Sequence, residues 1–291
     1  MKILVLGCKG QLGLCLNDQL INTDYEVIYT SRRQINIVNF DETKKNIFDI
    51  APDVVINSTG FTAVDMAEKE HEEANLLNHL AVRNIANICR QLDCWLIHIS
   101  TDYVFDGYTK SPYKETDLTN PLTVYGKTKL YGEMGIDLSG CKYIIVRTSW
   151  VFSEHGSNFL LTMIKARKER DELKIVQDQI GCPTYAQDIA RAILVILSNL
   201  QKAELNSGLF HYCGAQSCSW YTFAKEIFYQ ALDYGIPMPA KILPTPSSKF
   251  LQNAVRPKYS VLDTSKINVE FGIKPSNWKS GIASTLRSLN S

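Results

Sequence analysis

Two side chains with complementary acid–base chemistry, Tyr125 and Lys129, lie four residues apart in a segment with helical spacing, so they share one face of the predicted helix. A free phenol, with a pKa of about 10, is a poor acid–base catalyst at pH 7, and a neighbouring ammonium stabilises the phenolate. Thr101 and Asp102 follow a buried strand at residues 95–100, where open α/β sheets bind their ligands. The Thr101 hydroxyl can donate to the same substrate oxygen. The four residues predict proton transfer to a carbonyl held beside a hydride donor.

The Tyr-x-x-x-Lys spacing is weak evidence alone, because ordinary helices often carry one aromatic residue and one solvated lysine at this distance. A glycine-rich segment strengthens it. After an apolar strand at residues 2–7, the chain opens a helix with Gly7-Cys8-Lys9-Gly10-Gln11-Leu12-Gly13. Glycines permit a tight turn and a close backbone approach to a pyrophosphate, whose charge meets free N–H groups at the helix N-terminus. The segment predicts dinucleotide binding, and the alternative is merely a tight turn between strand and helix.

Two arginines, Arg32 and Arg33, follow the second predicted strand. An NAD site usually carries an acidic residue there for the ribose 2′-hydroxyl, whereas arginine can pair with a 2′-phosphate. The alternative is a solvated pair of surface arginines. The position favours NADPH as the cofactor, with NADH possible, and predicts that replacing either arginine by alanine removes the preference.

Apolar strands alternate with helical stretches over the first half of the chain, including a long helical stretch at residues 66–91. This order predicts an α/β fold with a Rossmann-type, doubly wound parallel sheet covered by helices on both faces. From residue 151 the pattern becomes irregular, and residues 237–257 are rich in proline. We expect an NAD(P)-binding domain at residues 1–150 and a smaller α/β substrate lobe, mainly residues 151–291, with some elements returning to the first domain.

Composition excludes several classes of function. With 31 Lys and Arg against 30 Asp and Glu, the net charge is +1, so the chain lacks the bulk basic excess of a nucleic-acid binder. Its apolar runs are too short for a membrane span, and its start does not resemble a signal peptide. The eight cysteines show neither Cys-x-x-Cys pairs nor zinc-ligand spacing, which indicates reduced, mostly structural thiols. We expect a cytoplasmic protein that binds neither nucleic acid nor membrane.

Eight segments carry a resemblance to a known family. They are residues 7–13, 57–65, 100–107, 124–133 (through Val124-Tyr125-Gly126, Lys129 and Gly132-Glu133), 147–152, 158–159, 177–184 and 256–257. In this combination and order the sequence resembles the extended short-chain dehydrogenase/reductases and, within them, the dTDP-4-dehydrorhamnose reductase family.

The resemblance implies NADPH-dependent reduction of the C4 ketone of a nucleotide sugar, dTDP-4-dehydro-L-rhamnose, to dTDP-L-rhamnose. It implies Tyr125 as the proton donor and Lys129 as the residue that holds the nicotinamide ribose, with Thr101, Asp102 and Trp150 against the sugar. The remaining candidates for cofactor binding are Gly7, Gly10, Gln11, Leu12, Gly13, Arg32, Arg33, Asn36, Ile37, Gly60, Phe61 and Thr62, and those for substrate binding are Asn158 and Arg256.

The sequence departs from the family at one candidate contact. Asn36 stands where the family has an aspartate near the adenine, and its amide still offers hydrogen bonds to a base. Some relatives bind a metal between subunits through glutamates that have no recognisable counterpart here. We therefore expect no metal, and either a monomer or a homodimer.

Two other functions remain open. One is a different nucleotide-sugar enzyme, such as an epimerase or a dehydratase, which the segments at residues 147–152 and 177–184 disfavour. The other is a non-catalytic NADP-binding subunit, like the regulatory partner of methionine adenosyltransferase. The presence of all four acid–base residues argues against this second alternative.

Overall fold

The computed structural model describes residues 1–200 and 206–290. Its strands are β1 (Lys2–Leu6), β2 (Glu26–Thr30), β3 (Val54–Asn57), β4 (Trp95–Thr101), β5 (Lys142–Thr148), β6 (Val151–Phe152), β7 (Glu172–Val176), β8 (Ile180–Gly181), β9 (Thr184–Tyr185), β10 (Gly208–His211), β11 (Cys218–Ser219) and β12 (Lys241–Thr245). Its α-helices are α1 (Gln11–Leu20), α2 (Phe40–Ile50), α3 (Val64–Ala67), α4 (His71–Asn75), α5 (Ala81–Leu92), α6 (Val124–Ser139), α7 (Phe159–Glu169), α8 (Ala186–Asn199), α9 (Trp220–Ala231), α10 (Ser265–Phe271) and α11 (Trp278–Asn290).

Six parallel strands form the central sheet, in the order β10-β5-β4-β3-β1-β2. Side chains alternate between its faces, so Ile3 and Val5 of β1 pack with α1 and α8, whereas Leu4 and Leu6 pack with α2 and α5. Both faces are therefore buried, which explains why β1 is apolar at every position after Lys2. The prediction of a Rossmann-type α/β fold is confirmed.

One edge of this sheet collects the polar residues that follow the strands. Gly7, Ser58, Asp102 and Ser149 come directly after β1, β3, β4 and β5. Because the strands are parallel, their carboxyl ends meet at the same edge. The fold thus brings together segments that are far apart in the sequence.

Helix α6 is fixed against the sheet by a buried ion pair. It begins where the Thr123 hydroxyl accepts a hydrogen bond from the Gly126 N–H at 3.0 Å. Two turns further on, Glu133 accepts from Arg147 of β5, with Nε–Oε1 at 2.9 Å and Nη2–Oε2 at 2.6 Å. Both side chains are 5% exposed, and the Ser100 hydroxyl donates to the same carboxylate. The position of the helix therefore depends on this contact.

The second half of the chain has its own core. Helices α7, α9 and α11 pack with β7 around an apolar cluster that includes Leu160, Phe223 and Ile282. Three elements from this half lie with the first domain, since β10 pairs with β5, α8 packs on α1, and α10 packs on both β10 and α8. The boundary between residues 150 and 151 stays a prediction, and residues 201–205 and 291 of the predicted lobe lie outside the described residues.

The helix predicted at residues 66–91 is interrupted. Helix α3 ends at Ala67, and α4 leads into a π-helical segment, Leu76–Leu80, before α5 begins. Within that segment Asn78 is fully buried, and its amide accepts from the Phe61 N–H and donates to the Phe61 carbonyl. The π-helical segment thus places the Asn78 amide against the loop after β3. The regular spacing of apolar residues in the sequence does not indicate this interruption.

The cysteines lie in the described ranges as eight free thiols, seven of them buried. Across residues 1–200 and 206–290, none of the helices combines the length and the apolar character that crossing a bilayer requires.

Candidate active site

The glycine segment makes a tight turn from β1 into α1. Gly7 has a φ of +87°, a conformation that side chains other than glycine rarely adopt. A β-carbon at Gly13 would lie 2.3 Å from the Gly7 carbonyl oxygen, so only glycine allows the helix to pass this close to the loop. Gly10 caps α1 without a side-chain hydrogen bond. The first N–H groups of α1 are therefore available to an anionic ligand.

A cavity of about 720 Å³ extends from this turn along the ends of β1 and β2. Arg32 lies in its wall, whereas the exposed Arg33 does not. Its lining comprises Gly7, Lys9, Gly10, Ser31, Arg32, Ile35, Asn36, Ile37, Val38, Ser58, Thr59, Gly60, Glu72, Glu73, Leu76 and Leu77. The apolar side chains and loop backbone suit the adenosine half of a dinucleotide, and the charged groups of the wall are Lys9 and Arg32 against Glu72 and Glu73.

A second cavity of about 450 Å³ lies beside it, over the ends of β4 and β5. The two cavities share Gly10, Ser58, Thr59 and Gly60, so they form one groove divided by the loop after β3. The second lining brings together all four acid–base residues and comprises Gly10, Gln11, Leu12, Ser58, Thr59, Gly60, Thr62, Val64, Ile99, Ser100, Thr101, Asp102, Tyr103, Tyr125, Lys129, Thr148, Ser149, Trp150, Val151, Ser157, Ile189 and Trp220.

Tyr125 is held as a neutral phenol by its surroundings. Burial raises its pKa to about 12, a hydrogen bond with Thr101 lowers it, and the charge of Asp102 raises it. The sequence predicted that Lys129 moves this pKa toward neutrality, whereas the protein groups around Tyr125 move it in the opposite direction. At neutral pH the phenol therefore keeps its proton and is in the form that can donate, although the higher pKa makes it a weaker acid than a phenol in water.

Asp102 presents a buried oxygen to the same cavity. The residue is 2% exposed, and Oδ1 accepts from the Thr101 hydroxyl at 3.2 Å. Its Oδ2 has no hydrogen-bond partner within the described part of the chain. Burial raises the pKa of Asp102 to about 7, although the side chains of Ser260 and Thr101 near the carboxyl act in the opposite direction. An unpaired buried oxygen is costly, so this atom is suited to a ligand hydroxyl.

Lys129 is 4% exposed although it lines the cavity. Its Nζ donates to the Ile99 carbonyl at 2.6 Å and lies 3.2 Å from Nε2 of His98. Burial lowers the pKa of Lys129 to about 8, although the charge of Glu133 acts in the opposite direction. The ammonium form is therefore less favoured here than in water.

Trp150 forms the far wall with a second indole. It has a φ of +45°, and its ring stacks on that of Trp220, with centroids 3.5 Å apart and planes 8° from parallel. A β-carbon at Gly181 would lie 2.5 Å from the Trp150 ring. Stacking and this close backbone approach together hold Trp150 in an otherwise unfavourable conformation.

Five residues predicted from the sequence lie outside both linings: Gly13, Arg33, Phe61, Asn158 and Arg256. The Asn158 amide caps α7 and donates to Gln11 Oε1 at 2.7 Å. Arg256 pairs with Asp65. These two side chains are engaged within the protein, and their contact with substrate stays a prediction.

Sequence reasoning missed Trp220, which lines the second cavity, and two buried polar residues behind the linings, His98 and Asn78. Trp220 starts a helix remote from the motifs, so no pattern links it to Trp150. His98 and Asn78 lie in regular strand and helix patterns, where a buried polar residue resembles an ordinary packed one. The available signal was a histidine between apolar residues in a buried parallel strand, because a buried polar side chain needs a hydrogen-bond partner.

Away from both cavities, Asp18, Glu154 and His155 bring three potential ligand atoms within 4.8 Å of one another. Gln187 donates to Asp18 at 2.7 Å, and exposed acidic groups of this kind are common without an ion. The expectation of no metal stays a prediction.

The doubly wound sheet and the divided groove at its carboxyl edge define an NAD(P)-dependent oxidoreductase. A model of the RmlD substrate binding domain family matches residues 1–291. The chain is 39% identical to dTDP-4-dehydrorhamnose reductase of Aggregatibacter actinomycetemcomitans over 96% of both chains. It is 38% identical to spore coat polysaccharide biosynthesis protein SpsK of Bacillus subtilis, over 100% of this chain and 98% of that one.

Solved structures agree. A dTDP-4-dehydrorhamnose reductase from Clostridium acetobutylicum matches with a TM-score of 0.93 and 38% identity over 100% of both chains. The Bacillus anthracis reductase, solved in complex with NADP, matches with a TM-score of 0.90 and 33% identity over 99% of both chains. The chain belongs to the dTDP-4-dehydrorhamnose reductase family, as the sequence motifs predicted.

Proposed function

We propose that the protein reduces the C4 ketone of dTDP-4-dehydro-L-rhamnose with NADPH to give dTDP-L-rhamnose. The carrying observation is the convergence of Thr101, Asp102, Tyr125 and Lys129 on a cavity that continues into a groove for a dinucleotide. Relatives and solved structures that match the whole chain are named as reductases of this substrate.

The cofactor fits the larger half of the groove. Glycine at positions 7 and 13 keeps the turn open to a diphosphate, the α1 N-terminus offers free N–H groups, and Arg32 meets the far end. Gly60 and Thr62 would line the nicotinamide end. When bound, NADPH supplies the hydride that reduces the ketone.

The protein's own side chains would orient the ketone and move one proton. The Thr101 hydroxyl would turn from Asp102 Oδ1 to donate its one proton to the carbonyl oxygen, and Asp102 would hold a neighbouring sugar hydroxyl. As negative charge develops on that oxygen, Tyr125 would transfer its phenolic proton to it. Lys129 would hold a ribose hydroxyl of the cofactor, and Trp150 would exclude water from one side of the sugar.

The test is the loss of NADPH absorbance after adding freshly generated dTDP-4-dehydro-L-rhamnose. We expect turnover with this sugar and none with dTDP-glucose, which has no ketone to reduce. If the folded protein binds NADPH but does not oxidise it, the regulatory-subunit alternative gains support and the proposed reaction fails.

Cofactor preference provides a separate prediction. Replacing Arg32 by alanine should weaken NADPH binding about tenfold to a hundredfold and leave NADH binding unchanged, since hydrogen bonds to charged groups contribute about 1.5–3 kcal/mol. The sequence predicts the same for Arg33, but only Arg32 lies in the wall of the cavity. Fluorescence titrations with NADPH and with NADH will give the dissociation constants of both variants. Equal affinity of the unmodified protein for NADPH and NADH contradicts the prediction.

We also propose that the protein works in the cytoplasm as a monomer or homodimer. Eight free thiols fit a reducing compartment. Light scattering at working concentration will measure the oligomeric state.

A further inference from the structure

A buried polar chain connects the end of β3 with Lys129. Asn57 and His98 are each 0% exposed and lie opposite each other on neighbouring strands β3 and β4. The Asn57 amide nitrogen lies 3.2 Å from His98 Nδ1, and His98 Nε2 lies 3.2 Å from Lys129 Nζ. Neither Asn57 nor His98 lines a cavity: His98 reaches the cavity through Lys129, whereas Asn57 also contacts Thr59 of the lining.

The orientation of the Asn57 amide follows from its other contacts. Its oxygen accepts two hydrogen bonds, from the Thr59 N–H at 3.1 Å and from the Thr59 hydroxyl at 2.6 Å. The amide nitrogen therefore faces His98, and it can only donate. His98 Nδ1 must then be the acceptor, without a proton of its own.

The protonation of Nδ1 fixes that of Nε2. Burial holds the pKa of His98 well below its usual range, and a charged Lys129 would lower it further, so the imidazole is neutral and carries one proton in either state of Lys129. With Nδ1 acting as an acceptor, this proton lies on Nε2 and points at Lys129 Nζ. An ammonium at Lys129 has only donors, so its N–H would face the N–H of His98 without a hydrogen bond. A neutral amine has a lone pair and can accept from His98 Nε2.

We propose that Asn57 and His98 form a positioning pair that presents the Nε2–H of His98 to Lys129 and thereby favours the neutral amine of Lys129. The amine accepts from His98 and donates to the Ile99 carbonyl, which anchors Nζ at two points. One N–H remains for a ligand in the cavity. The inference concerns the protein itself, and only its kinetic arm rests on the proposed function.

Other groups around Lys129 act with or against the pair. Glu133, one turn along α6, favours the ammonium, but its charge is shared with Arg147 of β5. Tyr125, one turn back along α6, and Asp102, after β4, face the same cavity. Burial favours the neutral amine, so the balance leaves Lys129 able to lose a proton near neutral pH.

His211 provides an internal control for the tautomer. It is also buried, but its Nδ1 lies 3.1 Å from the Tyr113 carbonyl, and its Nε2 lies 3.4 Å from Arg147 Nη1. A carbonyl only accepts and a guanidinium only donates, so His211 must carry its proton on Nδ1. The two buried histidines therefore have opposite tautomers.

The first test is a long-range ¹H–¹⁵N spectrum of the unmodified, histidine-labelled protein, with peaks assigned by H98Q and H211Q. We expect the pattern of an Nε2–H tautomer for His98 and of an Nδ1–H tautomer for His211. A protonated Nδ1 at His98 overturns the proposal, whatever the outcome of any activity assay.

The second test follows the side-chain ¹³C resonance of Lys129 with pH, assigned by K129M. If His98 donates to Lys129, His98→Leu should raise the midpoint by about half a pH unit or more, because an opposing N–H is removed. If His98 accepts from Lys129, the same change should lower it, which contradicts the proposal. His211→Leu is the matched control and should leave the midpoint unchanged.

The kinetic arm measures the pH profile of kcat/KM for sugar reduction. We expect His98→Leu to move the alkaline limb in the same direction as the Lys129 midpoint, and an unmoved limb overturns the link to the reaction. If the NMR results hold while no reduction occurs in any variant, the proposed function fails and the positioning pair stands.

Discussion

Replacing Tyr125 by phenylalanine should lower kcat for sugar reduction about a hundredfold to ten-thousandfold, the range that a positioned proton donor contributes. The phenol lies in the cavity with Thr101 and Lys129, and its raised pKa of about 12 keeps it protonated at neutral pH. Phenylalanine keeps the ring and its packing but removes the proton. Stopped-flow measurement of NADPH oxidation will separate this step from product release.

Tyr103 provides the matched control. Its ring packs edge-on against that of Tyr125, with centroids 5.6 Å apart, and it lines the same cavity. Its hydroxyl contacts Arg256, and burial raises its pKa although the charge of Arg256 acts in the opposite direction. Tyr103→Phe should change kcat far less than Tyr125→Phe, and both variants should bind NADPH as the unmodified protein does. Full activity of Tyr125→Phe would end the assignment of the proton donor.

Replacing Glu133 by alanine should lower the free energy of unfolding by about 3–5 kcal/mol, because it leaves the Arg147 guanidinium buried without its partner. Both side chains of this pair are 5% exposed, and two hydrogen bonds of 2.6 and 2.9 Å join them. Urea unfolding, followed by circular dichroism, will measure the change. We expect the midpoint to fall while the slope stays constant.

An exposed ion pair tests whether burial is the cause. Asp171 pairs with Arg167 at 2.9 Å, but its side chain is 75% exposed. Asp171→Asn should leave the unfolding midpoint unchanged, since water replaces the lost contact. Replacing both Glu133 and Arg147 by apolar residues should recover much of the loss. A loss below about 1 kcal/mol in Glu133→Ala would place this pair among the weak surface pairs.

The sequence predicted the sheet because apolar runs with terminal glycines and hydroxyl residues are local signals. It also predicted that Tyr125 and Lys129 share a helix face with Thr101 nearby, because helical spacing and strand ends fix those directions. The family followed from the order of the motifs. Sequence reasoning therefore predicted the features that depend on residue spacing within one strand or one helix.

Contacts between distant segments were not accessible in this way. The stack of Trp150 on Trp220 joins the end of β5 to the start of α9, and neither side shows a periodic signal. The raised pKa of Tyr125 depends on how deeply the folded chain buries the phenol, which a Tyr-x-x-x-Lys spacing does not specify. The interruption before α5 depends on where Asn78 meets the loop after β3. These features arise from packing and not from local pattern.

Because β10 pairs with β5, a strand from the second half of the chain completes the sheet of the first domain. A fragment that ended at residue 150 would leave β5 with a row of unpaired N–H and C=O groups at the margin of the sheet. Such an open margin is a template for pairing with other chains. Limited proteolysis or gene dissection near the domain junction would thus produce an aggregating piece in place of an independent nucleotide-binding module. The core of the cofactor half also includes Ile267, Phe271 and Ile273, so this half is completed only after the ribosome has passed residue 273.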